Sequence, residues 1–127
     1  MLDYFQQLAE EKGGRNQSNR ARELADIAYS VKALTLKYDM TIFAASQFNR
    51  EVDGRKGGVP LLSDFKESGG LEEACDMAIL LWPELDDMGI ESDIINASVA
   101  KNRHGKKTTF QMVFVRETGR IRSLQND

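Results

Sequence analysis

Apolar residues in the first third of the chain recur with the spacing of one helical face. Between Ser18 and Tyr38 they fall at helical intervals: Leu24, Ile27, Ala28, Val31, Leu34 and Tyr38. This spacing predicts an amphipathic helix over residues 18–38 that buries one stripe and exposes the opposite face. A shorter helix is predicted over residues 68–75.

Two uninterrupted apolar runs are too short to be helices. Thr41–Ala45 has the sequence TIFAA, and Met77–Trp82 has the sequence MAILLW. Such runs predict strands that are buried on both faces, as the strands of parallel sheets are. Pro83 is expected to end the second strand.

The last third of the chain predicts strands that follow one another directly. They cover residues 94–100, 108–115 and 120–124, and Gly119 supplies a turn between the last two. The order of elements predicts one α/β domain over residues 1–127. Its sheet is expected to be mostly parallel and twisted, with helices around it and an antiparallel C-terminal edge.

Composition excludes several classes of protein. With 41% hydrophobic and 29% charged residues, the chain is not expected to be disordered. It contains no apolar run long enough to span a bilayer and no signal-peptide pattern at its N-terminus. The single cysteine excludes an internal disulfide. We therefore expect a cytoplasmic protein without membrane contact.

Charge is unevenly distributed although the net charge is only −3. Five acids and no base lie between Glu84 and Asp93, whereas four bases and no acid lie between Lys101 and Lys107. Two solvated loops of opposite sign would explain this pattern. The basic run also follows an apolar segment, so a functional site at the end of a strand is the alternative.

Polar residues follow several of the predicted strands, where open α/β sheets bind ligands. Asp3 could bind Mg²⁺ or be a surface carboxylate. Gln47 has both a donor and an acceptor, so it could orient a water molecule or contact a terminal phosphate. Lys101 and Arg103 would point to the same side of an extended strand, where two cations could bind a polyphosphate.

A further cluster precedes the second predicted helix. Residues 62–70 read LSDFKESGG, with Lys66 beside a glycine-containing helix start. Exposed backbone N–H groups at such a start favour anions such as phosphate. An ordinary helix start capped by Ser68 is the alternative.

Together, these segments resemble the C-terminal motor domain of DnaB-family replicative helicases, which has a RecA-like ATPase fold. The resemblance rests on segments in a fixed order: Leu2-Asp3-Tyr4, SQFNR at 46–50, LSDFKESG at 62–69, Asp76 with its apolar strand, and AKNRHG at 100–105. It covers almost the whole chain. Other RecA-like motors, such as recombinases and clock-type ATPases, are less similar in SQFNR and in KNRHG.

The resemblance implies an ATP site with named roles. Asp3 would be the Walker B aspartate that holds the Mg²⁺ of bound ATP. Gln47 would couple the state of the γ-phosphate to the DNA-binding loops. Arg103 would be the arginine finger, with Lys101 as its partner at the γ-phosphate of the neighbouring subunit.

The resemblance also implies binding of single-stranded DNA in the channel of a homo-hexameric ring. A primase or a loader is a further expected partner. The expected DNA-binding residues are Lys12, Arg15, Arg50, Arg55, Lys66, Glu67, Ser68 and Gly69.

The chain departs from the family in one important respect, because it contains no G-x-x-x-x-G-K-[ST] segment. In the family this P-loop and the catalytic glutamate lie upstream of the Walker B strand, so both would precede Met1. Lys66 also stands where the family often has Arg. We therefore expect a partial RecA-like fold that lacks the P-loop strand, inactive by itself in ATP hydrolysis. A non-catalytic module that binds DNA or docks on a helicase is the alternative.

Overall fold

A computed structural model describes residues 1–9, 17–65 and 69–124. The chain divides into two compact units. The first comprises residues 1–50 and 62–75, and the second comprises residues 51–61 and 76–127. In the described parts of the chain, no helix is both long enough and apolar enough to cross a membrane.

Two helices form the core of the first unit. Helix α1 spans Gln17–Tyr38 and helix α2 spans Gly69–Ala74, which confirms both predicted helices to within one residue at each end. The first part of the predicted stripe is buried, since Leu24 is 0% and Ala28 3% exposed, whereas Leu34 and Tyr38 at its C-terminal end are 45% and 57% exposed. The buried cluster consists of Phe5, Ala9, Leu24, Ala28 and Ala74.

The N-terminal residues pair with the segment that follows α1. Leu2 forms a parallel bridge with Ala44, and the Leu2 N–H donates to the Phe43 carbonyl at 2.8 Å. The prediction that residues 41–45 form a strand buried on both faces is wrong, because Phe43 is 73% exposed. In the described chain this segment pairs on one side only, so its other side stays open.

The second unit contains a four-stranded sheet. Its strands are β1 (Met77–Leu85), β2 (Glu91–Asn102), β3 (Thr109–Val115) and β4 (Arg120–Ser123), arranged in sequence order. Every neighbouring pair in this sheet is antiparallel. The predicted antiparallel C-terminal part is thus present, whereas the mostly parallel sheet is not found in the described residues. The connections between these strands are a few residues long, and a parallel connection needs a crossover of a dozen or more.

Strand β1 corrects two further predictions. It lies at the edge of the sheet and alternates in burial, with Leu80 2% exposed and Ile79 48% exposed. The prediction of burial on both faces is therefore wrong. Pro83 does not end the strand but lies inside it, opposite Ile95 and next to an irregularity in register. An edge strand tolerates proline because one row of its backbone groups has no partner in the sheet.

Candidate functional site

Asp3 and Gln47 lie in the first unit, close to the paired residues Leu2 and Ala45. The Ala45 N–H donates to the Leu2 carbonyl at 2.8 Å, and the Phe5 N–H donates to the Ala45 carbonyl at 2.7 Å. Asp3 and Gln47 are both exposed. Because the two segments are parallel, Asp3 and Gln47 lie towards the same end of this pair, and a ligand site there stays a prediction.

A buried glutamine connects these two segments. Gln6 is 4% exposed, and its Nε2 donates to the Ser46 Oγ at 2.9 Å and to the Gln47 carbonyl at 3.2 Å. The Gln47 N–H in turn donates to the Gln6 Oε1 at 3.4 Å. Gln6 therefore fixes the backbone of Gln47 and leaves its side chain exposed. The sequence did not indicate Gln6, since its partners lie 40 and 41 residues away.

The SQFNR segment is also tied to the segment that precedes Lys66. The Phe48 and Phe65 rings stack, and the Asn49 N–H donates to the Asp64 carbonyl at 2.7 Å. In the sequence, SQFNR and the segment before Lys66 were recognised as two separate polar clusters, with no indication that they are in contact. In the structure they are direct neighbours within the first unit.

The predicted DNA-binding residues are described only in part. Gly69 is the first residue of α2, and Arg50 is exposed at the start of a short 3₁₀ turn. Arg55 donates from Nη1 to the Val59 carbonyl at 2.8 Å, within its own loop. The remaining five lie outside the described residues: Lys12, Arg15, Lys66, Glu67 and Ser68.

Lys101 and Arg103 lie in the second unit, at the C-terminal end of β2. Lys101 is in register with Ala78, and Arg103 follows the last residue of the strand. The Arg103 N–H donates to the Asp76 carbonyl at 2.9 Å, and its Nη1 lies 3.6 Å from the Asp76 Oδ1. The guanidinium is thus held beside a carboxylate while half of the side chain remains exposed.

Asn102 organises the loop between these two cations and β3. Its Oδ1 accepts from the His104 N–H at 3.2 Å, and its Nδ2 donates to the Lys106 carbonyl at 3.3 Å. A Cβ at Gly105 would lie 2.7 Å from the Asn102 Nδ2, so the glycine leaves room for this side chain. Sequence reasoning missed this role of Asn102.

The acidic end of the sheet has its own ion pairs. The Arg116 Nε donates to the Asp93 Oδ1 at 2.8 Å, and its Nη2 lies 3.8 Å from the Glu91 Oε2. The hydrogen bond to Asp93 raises the pKa of Arg116 above its usual value. Strand β2 separates this cluster from Arg103, so acidic and basic groups occupy opposite ends of one strand.

Asp3 could contribute one carboxylate ligand to a Mg²⁺ ion. Among residues 1–9, 17–65 and 69–124, no three His, Cys, Asp or Glu side chains form a metal cluster. Mg²⁺ at nucleotide sites is usually held by one or two carboxylates, with phosphate oxygens and water as its other ligands. One exposed carboxylate at a strand end meets that requirement.

Comparison with known proteins identifies relatives of the whole chain. The profile of a family described as DnaB-like helicase C terminal domain matches residues 1–123. The chain is 32% identical to the replicative DNA helicase DnaB of Geobacillus stearothermophilus and 29% identical to the replicative DNA helicase DnaC of Bacillus subtilis (strain 168). Each match covers 98% of this chain but 28% of the relative, so the chain spans little more than a quarter of their length.

Solved structures give the same result. The chain is similar to a DnaB-like replicative helicase described with its interactions with primase, with a TM-score of 0.81 at 31% identity over 97% of this chain and 29% of that one. It is also similar to a second solved structure, an ATPase domain, with a TM-score of 0.78 at 30% identity over 97% of this chain and 43% of that one.

Proposed function

The chain belongs to the family of DnaB-like helicase C-terminal domains, and on this premise we propose that it forms the C-terminal part of a replicative helicase motor. In this role the complete protein hydrolyses ATP, moves along single-stranded DNA and unwinds duplex DNA. The observation that carries the proposal is the juxtaposition of the Asp3 and Gln47 segments, tied together by the buried Gln6.

The first unit supplies the groups proposed to face ATP. The Asp3 carboxylate would hold Mg²⁺, which when bound neutralises phosphate charge. The Gln47 amide would contact the γ-phosphate or the attacking water, since it can both donate and accept. Gln6 limits the movement of the Gln47 backbone, so that this amide is presented from a fixed position.

The second unit supplies the groups proposed to face a neighbouring subunit. Arg103 would act as the arginine finger, and Lys101 would be a second cation at the same phosphate. The half-exposed Arg103 guanidinium supports this role, because a residue that acts on another subunit must be accessible. A homo-hexameric ring is therefore part of the proposal.

Single-stranded DNA is the proposed polymer substrate. Its phosphates would meet the basic residues Arg50 and Arg55, together with Lys12, Arg15 and the Lys66–Gly69 segment. Primase is a proposed partner, because the related helicase of known structure is described with its interactions with primase.

The 127 residues are proposed to need the rest of a longer polypeptide for hydrolysis. They contain no G-x-x-x-x-G-K-[ST] segment, and the two cations, Asp3 and Gln47 do not reproduce a phosphate-binding loop. An antibody raised against this chain should therefore detect a polypeptide several times its 14.3 kDa mass in cells that express it.

The decisive test is hydrolysis by that complete polypeptide. We expect ATP turnover that rises when single-stranded DNA is added, and DNA affinity that falls steeply as the salt concentration rises. DNA binding without ATP turnover would contradict the motor and favour a non-catalytic module. DNA affinity that does not respond to salt would contradict the assignment of the basic residues.

A further inference from the structure

The loop between β2 and β3 is held by one side chain at its start. The loop comprises residues 103–108. The Asn102 Oδ1 accepts from the His104 N–H at 3.2 Å, and the Asn102 Nδ2 donates to the Lys106 carbonyl at 3.3 Å. The side chain therefore spans three consecutive loop residues. We call these two hydrogen bonds the amide bridge.

Gly105 leaves the space that the amide bridge occupies. A Cβ at this position would lie 2.7 Å from the Asn102 Nδ2 and 3.4 Å from its Cγ. Non-bonded carbon atoms prefer separations of about 3.5–4.0 Å, so an alanine at this position would push the amide away from its two partners. The φ of Gly105 is not positive, so the backbone itself would accept the alanine. Such a change would therefore act on the amide bridge rather than on the backbone of the loop.

The amide bridge starts between the two cations that are proposed to meet a phosphate. Lys101 directly precedes Asn102, and Arg103 directly follows it. The Arg103 N–H donates to the Asp76 carbonyl at 2.9 Å, which fixes the loop where it leaves the strand. The amide bridge fixes the next residues, so the Arg103 backbone is restrained on both sides. Ordering a free loop costs conformational entropy, and a loop that is already ordered avoids this cost when it meets a ligand.

We propose that Asn102 is a positioning residue for ATP hydrolysis, and that its amide bridge holds Arg103 in place for the reaction at the neighbouring subunit. This inference rests on the proposed function and adds the residue that prepares the arginine for its role. Asn102 is assigned no contact with nucleotide, so it acts only through Arg103. Both hydrogen bonds are exposed to solvent, where water can replace them and their contribution to the free energy of unfolding is small. Loss of the amide bridge should therefore change hydrolysis and leave stability almost unchanged.

The test measures DNA-stimulated ATP hydrolysis by the complete helicase. We expect Asn102→Ala to lower kcat about ten-fold or more, because a small displacement of a positioned group reduces the rate strongly. The affinity for a non-hydrolysable ATP analogue and the midpoint of thermal unfolding should stay at wild-type values. Asn96→Ala is the matched control on the same strand, where the Asn96 Oδ1 accepts from the Gln111 Nε2 at 3.0 Å. This control should retain the wild-type kcat.

A second variant disturbs the amide bridge without changing Asn102. Gly105→Ala should lower kcat to a similar extent, because its Cβ displaces the Asn102 amide. In the Asn102→Ala background the same change should have no further effect, since the amide is then no longer there to be displaced. Asn102→Ala should likewise have no further effect in the Arg103→Ala background. Additive losses in either pair would overturn the proposal.

The positioning role and the proposed function can fail separately. A wild-type kcat in Asn102→Ala overturns only the positioning role, provided that Arg103→Ala lowers hydrolysis as expected. A parallel loss of kcat, nucleotide affinity and thermal stability in Asn102→Ala also overturns it, because that pattern indicates general damage to the fold. Wild-type hydrolysis in Arg103→Ala overturns the arginine finger of the proposed function, and the role of Asn102 with it.

Discussion

The Arg103 side chain is held by Asp76, with its Nη1 3.6 Å from the Asp76 Oδ1 and its backbone N–H donating to the Asp76 carbonyl at 2.9 Å. Asp76 directly precedes β1, and Arg103 directly follows β2. Asp76, just before β1, therefore positions Arg103, just after β2. Both side chains are nearly half exposed, at 43% and 49%, which leaves the guanidinium accessible from solvent.

Replacing Arg103 tests its proposed role at a neighbouring subunit. In the complete helicase, Arg103→Ala should lower DNA-stimulated ATP hydrolysis about a thousand-fold or more, because an arginine finger stabilises the charge of the transition state. Nucleotide binding should be unchanged. Steady-state hydrolysis and equilibrium binding of a labelled nucleotide measure the two effects. Arg116→Ala is the matched control, since Arg116 is another half-exposed arginine with carboxylate partners.

Replacing Asp76 tests how Arg103 is positioned. Asp76→Asn should change the free energy of unfolding by less than about 1 kcal/mol, because exposed ion pairs contribute little. Hydrolysis should fall, and the same change should have no added effect in the Arg103→Ala background. Denaturant unfolding and a double-mutant cycle on the hydrolysis rate provide the measurements. An additive loss would show that Asp76 does not act through Arg103.

Replacing Gln6 removes the connection between the two candidate ATP-binding segments. Gln6→Leu should lower the free energy of unfolding by about 1–3 kcal/mol, because it removes three part-buried hydrogen bonds, one to the Ser46 hydroxyl and two to the Gln47 backbone. Urea unfolding of the purified chain measures this loss. Gln7→Leu is the matched control, since Gln7 is exposed and should tolerate the change. Equal effects of the two variants would contradict the structural role of Gln6.

The contact between α1 and α2 leaves no space for a side chain at Gly70. A Cβ there would lie 2.4 Å from the Ala25 Cβ and 2.5 Å from its Cα. Gly70→Ala should therefore destabilise the chain by about 1–2 kcal/mol, since overpacking outweighs the better helix propensity of alanine. Gly54→Ala should be close to neutral, because its nearest atom is 3.8 Å away. Thermal unfolding of both variants provides the comparison.

A tyrosine on α1 should give a local response to pH. The Tyr29 hydroxyl donates to the Glu73 carboxylate, and this hydrogen bond raises the pKa of Tyr29 above its usual value. The neutral phenol is thus favoured in the folded state. Its stabilising contact should be complete below the pKa of an unfolded tyrosine, about 10, and should be lost as the pH rises through the higher folded value. Ultraviolet titration should show a tyrosine that ionises late, and Glu73→Gln should lower its pKa.

The regular helices could be predicted because their periodicity is local. The stripe that contains Leu24 and Ala28 is sufficient to place α1, although its burial does not extend to Leu34 and Tyr38. The burial of strands could not be predicted in the same way, since it depends on neighbours. Met77–Trp82 forms a strand as predicted, yet the run lies at a sheet edge and exposes every second side chain.

The candidate site was predicted only as separate clusters. Asp3 and Gln47 lie close to the paired residues Leu2 and Ala45, and the roles assigned to them stay predictions. The sequence did not indicate Gln6 or Asn102, because a lone amide side chain resembles that of an ordinary surface residue. Only the fold shows that Gln6 is buried between partners 40 and 41 residues away.

The charges at the two ends of β2 give the second unit an electric dipole moment. The net charge of the whole chain, −3, does not indicate this dipole. With acids clustered around its N-terminal end and bases around its C-terminal end, the unit is polarised along the strand. The electric field of an approaching polyanion therefore rotates the protein so that the Arg103 end faces the polyanion before any contact forms. At physiological ionic strength this orienting field extends over only about 8 Å. Salt should consequently slow productive encounters even where the final contacts survive.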